Sequence, residues 1–286
     1  MGMVQLFAAA RLRGIPVLLR MDSNLLRPRP FLLRLIYWFL FRGVNIGLPV
    51  GMANAEFYRR NGIPDKNLIA SPHYVDNVYF SERCASLRPH RPSLRKAWRI
   101  PERAFCFLFA GKLQAKKHPL ALLRALRLVS TEAMVGKPLH LLMVGSGPLE
   151  QECRHQVKDG HLPVSFAGFL NQSEMPSAYA VSDCLVLPSD HGETWGLVVN
   201  EAMACGLPAI VSDQVGCAQD LVQEGITGFV VRFGDVHALA RAMQAMALRP
   251  DNANMMGQRA RMHVEESYTI QKAAEGIKSA FKMVVK

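Results

Sequence analysis

Glu193 and Glu201, separated by seven residues, are the two carboxylates whose setting in this 286-residue chain suggests chemistry. Both lie in the segment HGETWGLVVNEAMACGLPAIVSD (191–213). The apolar run CLVLPS (184–189) just before it reads as a strand, which puts Glu193 on the loop beyond that strand's carboxyl end. In an open α/β sheet, ligands bind at that edge. Gly196 permits a close backbone approach, and a helix is expected to begin near Leu197, its first free N–H groups suiting a phosphate. Glu201 is then expected in the first turn of that helix, still at the ligand end. Taken one at a time, the plainer reading is that Glu201 complements the helix dipole and Glu193 is solvated.

A second segment, GKLQAKKHP (111–119), also follows a strand. It sets Lys112, Lys116 and Lys117 at a strand-to-helix corner on the same sheet edge. Ammonium groups there could neutralise a diphosphate leaving group as charge develops on it. A surface lysine cluster is the default for such a run, but two segments converging on one edge weaken that default. A third segment, VGSGP (144–148), has two of the glycines of a phosphate loop and lacks the third, so a tight turn is the better reading.

These segments need a scaffold, and the chain supplies one from Ala104 onward. The runs FCFLFAG (105–111), LHLLMVG (139–145), VSFAG (164–168), CLVLPS (184–189), AIVSD (209–213) and GFVVRF (228–233) read as buried strands. Helical patterns lie between them, such as HPLALLRALRLV (118–129) and a helix from Pro148. Continuous rather than alternating apolar runs indicate a parallel sheet covered on both faces, hence a doubly wound α/β domain. The first third differs. It offers strands at 15–21, 45–51 and 67–72, an apolar helix over Arg29–Arg42 and a helix over 51–60, too few strands for a complete doubly wound sheet. The expected organisation is a partial amino-terminal α/β domain (1–80), a Pro/Arg/Ser-rich linker (81–103), a complete Rossmann-like domain (104–265), and a carboxyl-terminal helix (266–286) that can pack back on the first domain.

Charge and cysteine usage narrow the partners. Residues 1–100 carry sixteen Lys and Arg against five Asp and Glu, whereas the rest of the chain balances eighteen with eighteen. The whole excess of +11 therefore sits in the first third. Such a face attracts anionic lipid or nucleic acid, or is merely a solvated basic surface. Arg27, Arg29, Arg34 and Arg42 flank or interrupt the apolar stretch FLLRLIYWFLF, which has the makings of an interfacial helix or of a domain core. That run is shorter than the ~18 residues a span needs. No secretory leader is evident. Six cysteines with no CxxC pair and no Cys/His ligand spacing fit a reduced cytoplasmic compartment rather than disulfides or zinc.

The ordered set GKL with a lysine six residues after the glycine, VGSGP, VSFAGF, ETWGLVVNEAMACGLP and GITGFVV resembles the nucleotide-binding half of glycosyltransferase family 4, the retaining GT-B enzymes. The resemblance runs from about Phe105 to Val231, and residues 45–80 look like the stretch leading out of that family's acceptor domain. It implies a GT-B α/β fold and transfer of a sugar from a nucleotide-diphosphate donor, with retention, to a glycan, lipid or small-molecule acceptor. By position, Glu201 would bind the ribose hydroxyls and Glu193 those of the donor sugar. Gly111, Lys112 (where arginine is commoner) and Lys117 would lie on the diphosphate, with the amides of Gly196, Leu197 and Val198 completing its cradle. Phe169 and Leu170 would line the base pocket through their main chain. The departing phosphate would help deprotonate the acceptor, so no metal or other cofactor is expected, and no Asp-x-Asp motif occurs. The family's opening strand and Gly-rich loop have no counterpart here, so the chain is expected to be amino-terminally incomplete.

Two other readings stand beside a transferase. One is a catalytically silent nucleotide-sugar-binding fragment. The other is a basic membrane- or nucleic-acid-binding α/β protein, disfavoured because the basic excess lies away from the ligand edge and no nucleic-acid module is evident. Weak contact of residues 27–42 with anionic membrane is expected, and nucleic acid is not.

Overall fold

The computed structural model describes residues 2–131 and 138–285. The chain forms two compact units. One comprises residues up to Tyr74 together with those from Ser267 onward, and the other runs from Val75 to Glu266.

The first unit contains α1 (Gly2–Leu12), β1 (Leu18–Leu19), α2 (Phe31–Phe41), β2 (Ile46–Gly47) and α3 (Met52–Arg60). β1 and β2 pair in parallel, Leu18 with Ile46 and Leu19 with Gly47, and Gly47 bridges to Leu68. All three expected strand segments therefore take part, but as stubs. Pro16 and Pro49 bracket the pairing and have no N–H to extend a ladder. Tyr58 ties α3 to this ribbon, its hydroxyl donating to Leu19 O at 3.0 Å and accepting from Met21 N at 3.1 Å. Phe41, Val44, Phe57, Tyr58 and Ile63 make the local core.

The second unit, which begins at Val75, takes in the stretch expected to be a linker. Residues 81–103 are instead mostly helical, within α4 (Asn77–Leu87) and α5 (Arg91–Ala97). An apolar stripe is missing because α5 is anchored by arginines. Arg95, 3% exposed, donates to Val181 O, Glu102 O and Ala104 O and pairs with Asp183 at 2.9 Å, while Arg91 reaches the same carboxylate at 2.6 Å. The alternation then follows as expected: β3 (Phe105–Ala110), α6 (Pro119–Thr131), β4 (Leu139–Val144), α7 (Glu150–Asp159), β5 (Val164–Gly168), α8 (Met175–Val181), β6 (Cys184–Leu187), α9 (Leu197–Ala204), β7 (Ala209–Ser212), α10 (Ala218–Leu221), β8 (Gly228–Val231), α11 (Val236–Leu248) and α12 (Pro250–Ser267).

The six strands form one parallel sheet in the order β5-β4-β3-β6-β7-β8. Phe105, Phe107 and Phe109 project from one face into a core shared with α6 and α11, and side chains alternate between the two faces along each strand. The chain winds outward from β3 through β4 to β5, then returns to the other side of β3 for β6. The reversal between β3 and β6 opens a crevice at their carboxyl ends. The last helix, α13 (Ile270–Val284), belongs to the first unit, where Ala280 packs on Ile46 and Leu48 and Ser71 Oγ donates to Ala273 O at 3.1 Å.

Candidate functional site

Both lysine and glutamate segments leave the sheet at this reversal, one after β3 and one after β6. Gly111 has φ +152°, a conformation that L side chains rarely adopt, and the Lys117 stem passes close by, its Cε 3.2 Å from where a Cβ would stand. Lys117 forms an ion pair with Glu193, the two side chains 12% and 15% exposed. Hydrogen bonds of backbone and side chain stitch the loops together around that pair. Asp190 N donates to Lys116 O at 2.9 Å, Lys116 Nζ donates to Gly192 O at 3.3 Å, and Gly192 N donates to Asp190 Oδ1 at 2.6 Å. His118 takes a left-handed conformation, φ +49°, which sets its Nε2 3.6 Å from Asp190 Oδ2. Behind the loop, Gly216 N donates to Glu193 O, and a Cβ on Gly216 would fall 1.7 Å from Thr194 O.

Gly196, in a left-handed conformation at φ +106°, caps α9. The first helical residues are Leu197 and Val198, whose amides have no preceding turn to bond within the helix and so remain available to an anion. The helix starts at Leu197 as expected, and Glu201, its fifth residue, falls at the start of the second turn rather than in the first, because 3.6 residues complete a turn. Its carboxylate accepts from the fully buried Tyr179 hydroxyl at 2.6 Å. Burial pushes the Glu201 carboxyl above its ordinary range, and the tyrosine bond partly opposes this. The same burial, with the Glu201 charge beside it, raises the Tyr179 phenol well above its own.

The two-glycine turn after β4 packs on the lysine corner. Cβ atoms at Gly145 and Gly147 would meet Gly111 O at 2.1 Å and Leu113 O at 2.4 Å, and Leu113 N donates to Ser146 O at 2.9 Å. These glycines serve a close backbone approach, as the tight-turn reading implied. Phe169 and Leu170 follow β5, two strands from β3 on the same edge, with the Phe169 side chain 74% exposed.

Gly111, Lys117 and Glu193 thus meet directly, with Gly196, Leu197, Val198 and Glu201 on the continuation of the same loop. Lys112 is exposed at the rim, and Phe169 and Leu170 stand apart. Tyr179, Asp190 and His118 were not anticipated. His118 lies within one of the segments already singled out and Asp190 adjoins the other, so both were readable there, whereas nothing in the order of residues links Tyr179 to a carboxylate 22 positions on. Among the described residues no cluster of three or more His, Cys, Asp or Glu is arranged to hold a metal ion. All six cysteines are buried and free.

A cationic corner, an open helix start and partly buried carboxylates at a switch point together can hold a diphosphate at one end and hydroxyls at the other, as a nucleotide-binding α/β domain does. The chain belongs to the family described as glycosyl transferases group 1, whose profile matches residues 90–263. It is similar to N-acetyl-alpha-D-glucosaminyl L-malate synthase of Bacillus anthracis, 30% identical over 214 residues that cover 73% of this chain and 52% of that protein. A D-inositol 3-phosphate glycosyltransferase of Streptomyces scabiei is 32% identical over 214 residues, 68% of this chain and 46% of that one. The chain thus spans about half the length of the curated relatives it matches. Its fold is that of GT-B glycosyltransferases. The glycosyltransferase of Rickettsia africae ESF-5 superposes with a TM-score of 0.78 at 16% identity, covering 99% of this chain and 80% of that one. Anabaena HepE in complex with UDP and glucose superposes at 0.75 and 17% identity, covering 97% and 74%.

Proposed function

We propose that this protein transfers a sugar from a nucleotide-diphosphate donor to an acceptor with retention at the anomeric carbon. The observation that carries this reading is the half-buried Lys117–Glu193 pair beside the open start of α9 at the β3/β6 reversal. Lys117 and Lys112, with the Leu197 and Val198 amides, hold the diphosphate. They oppose the negative charge that grows on it as the glycosidic bond breaks, and such fixed charge in a water-poor site is a large share of catalysis. Glu193 is positioned by Lys117 and Asp190 to accept from the donor sugar's hydroxyls. Glu201, oriented by Tyr179, accepts from the ribose hydroxyls. Phe169 and Leu170 supply main-chain contacts to the base. The departing phosphate takes the acceptor's proton, so this chain's residues need only hold the reactants, and lysine charge stands where a metal would otherwise be required.

UDP is the first donor base to try, since HepE binds it. Free, buried cysteines support a reducing, cytoplasmic setting. No described helix is long and apolar enough to cross a membrane, and residues 27–42 are the segment proposed to touch an anionic membrane surface.

Calorimetric titration with UDP and GDP, followed by mass spectrometry of products from UDP-sugars and GDP-sugars, tests the reading. Binding together with donor turnover supports it. Binding without turnover against a broad acceptor panel makes the protein a nucleotide-sugar-binding module, and no binding of either nucleotide refutes the site.

A further inference from the structure

The first unit holds a cavity of about 580 Å³ between the 25–29 loop, α2 and α3. Four arginines line it, Arg27, Arg29, Arg34 and Arg60, and among the described residues no acidic side chain does. Arg60 is partly neutralised by Glu56 at 2.9 Å. Arg29 is fixed in place: its guanidinium donates to Asn24 O at 2.5 Å and stacks 4.5 Å from the Phe57 ring centroid. Arg27 and Arg34 are exposed at the mouth. Charge of one sign therefore converges on a concavity, within a stretch, residues 1–45, that carries seven arginines and one acidic residue, Asp22.

Beside this mouth α2 is apolar on its outer side as well as its inner one. Phe41 is buried in the core, yet Phe31, Leu32 and Phe39 are 77%, 67% and 74% exposed. Trp38 lines the cavity and carries the Arg42 guanidinium 3.4 Å from its ring centroid. Eleven residues make a helix of about 16 Å, roughly half the ~30 Å of a bilayer's hydrocarbon, so α2 can lie in the interface but not cross it. A soluble phosphate would satisfy the arginines and leave the phenyl and leucyl groups in water. An acidic polypeptide would do the same. A phospholipid satisfies both, its phosphate among guanidinium groups and its acyl chains against the apolar side chains, with aromatic and arginine residues at the boundary between them.

The geometry points to a headgroup site: the Arg27/Arg29/Arg34/Arg60 cavity binds the phosphate of an anionic phospholipid while the outer face of α2 enters the acyl region of the same leaflet. This rests on the proposed membrane contact of residues 27–42 and is independent of the sugar-transfer reading.

Sedimentation of the full chain with vesicles of phosphatidylcholine alone, or of phosphatidylcholine mixed with phosphatidylglycerol, tests it. The expected result is binding to the anionic vesicles that weakens with salt, with a blue shift of tryptophan emission. Each arginine removed lowers partitioning about fivefold, so Arg27→Gln with Arg34→Gln together lower it about 25-fold. Both side chains are exposed, so that double variant should melt like the parent. Phe39→Gln should also weaken binding, which a surface reading charge alone would not show. Equal binding to neutral vesicles, indifference to the arginine substitutions, competition by polyglutamate at matched charge, or self-association that shifts tryptophan emission without vesicles would each overturn the proposal.

Discussion

Replacing Glu201 with glutamine should separate binding from stability. In the folded protein this carboxylate is held against burial by one hydrogen bond, from Tyr179 at 2.6 Å. Gln keeps the shape and an acceptor for that hydroxyl but removes the charge. A hydrogen bond to a charged group contributes about 1.5–3 kcal/mol and a neutral one about 0.5–1.5, so the exchange loses roughly 1 kcal/mol. Removing a partly buried charge returns a quantity of the same order. The unliganded variant should therefore unfold within about 1 kcal/mol of the parent at neutral pH. Its pH profile should change in a definite direction. The folded Glu201 carboxyl is raised above its ordinary 4.5, so the native state holds its proton longer than the unfolded chain. That contribution is complete below the unfolded value and lost as pH rises through the folded one, and Glu201→Gln should lack that loss. Nucleotide affinity behaves differently, because two ribose hydroxyls lose a charged acceptor. We expect a loss of about 1–3 kcal/mol, roughly 5- to 150-fold in Kd by calorimetry with UDP or GDP. Urea unfolding across pH measures the other half. A variant that binds nucleotide as tightly as the parent would refute the placement of Glu201 in the site. One that loses several kcal/mol of stability would refute the accounting for Tyr179.

Glu201→Ala, by contrast, strands the buried Tyr179 hydroxyl and should lower unfolding free energy by about 1–3 kcal/mol in urea. For the Lys117–Glu193 pair, Lys117→Met leaves a mostly buried carboxylate unpaired and should destabilise by about 3 kcal/mol or more, whereas adding Glu193→Gln should recover much of it. Additive losses in that cycle would show the two side chains to be uncoupled. Gly145→Ala puts a Cβ 2.1 Å from Gly111 O, against backbone rather than a mobile side chain, so the lysine corner must shift. A loss of about 3 kcal/mol or more in thermal or urea unfolding, with weakened nucleotide binding, is expected. His140 is buried against Ser165 Oγ at 2.9 Å, and burial, with a smaller contribution from Arg95, depresses its imidazole from 6.5 to about 4. Below 6.5 the unfolded chain takes up a proton that the native state refuses, so stability should fall between pH 6.5 and 4 by on the order of 3 kcal/mol. A His140→Asn variant should show a flatter slope over that interval.

What the sequence determined by itself is the six-strand sheet and the edge on which the candidate site residues emerge. Each of the runs 105–111, 139–145, 164–168, 184–189, 209–213 and 228–233 contains an observed strand. Both faces of such strands are covered, so continuous apolarity is a local property that survives without knowledge of neighbours. Gly111, Lys117, Glu193 and Gly196 were likewise legible, because a strand's end and the residues just beyond it must emerge on the ligand edge. Interactions that cross the sequence were not legible. Nothing in α5 announces that Arg91 and Arg95 reach Asp183, some ninety residues on, and a helix anchored by guanidinium groups lacks the apolar period that betrays the others. The stubs β1 and β2 were overdrawn because apolar residues next to proline still read as strand, while the ladder itself counts N–H donors. Tyr179 and Glu201 come from separate helices, and only their packing brings a phenol to 2.6 Å from a carboxylate. The start of α9 at Leu197 was legible, but the surroundings of Glu201 were not, since its burial beside Tyr179 depends on how α8 and α9 pack.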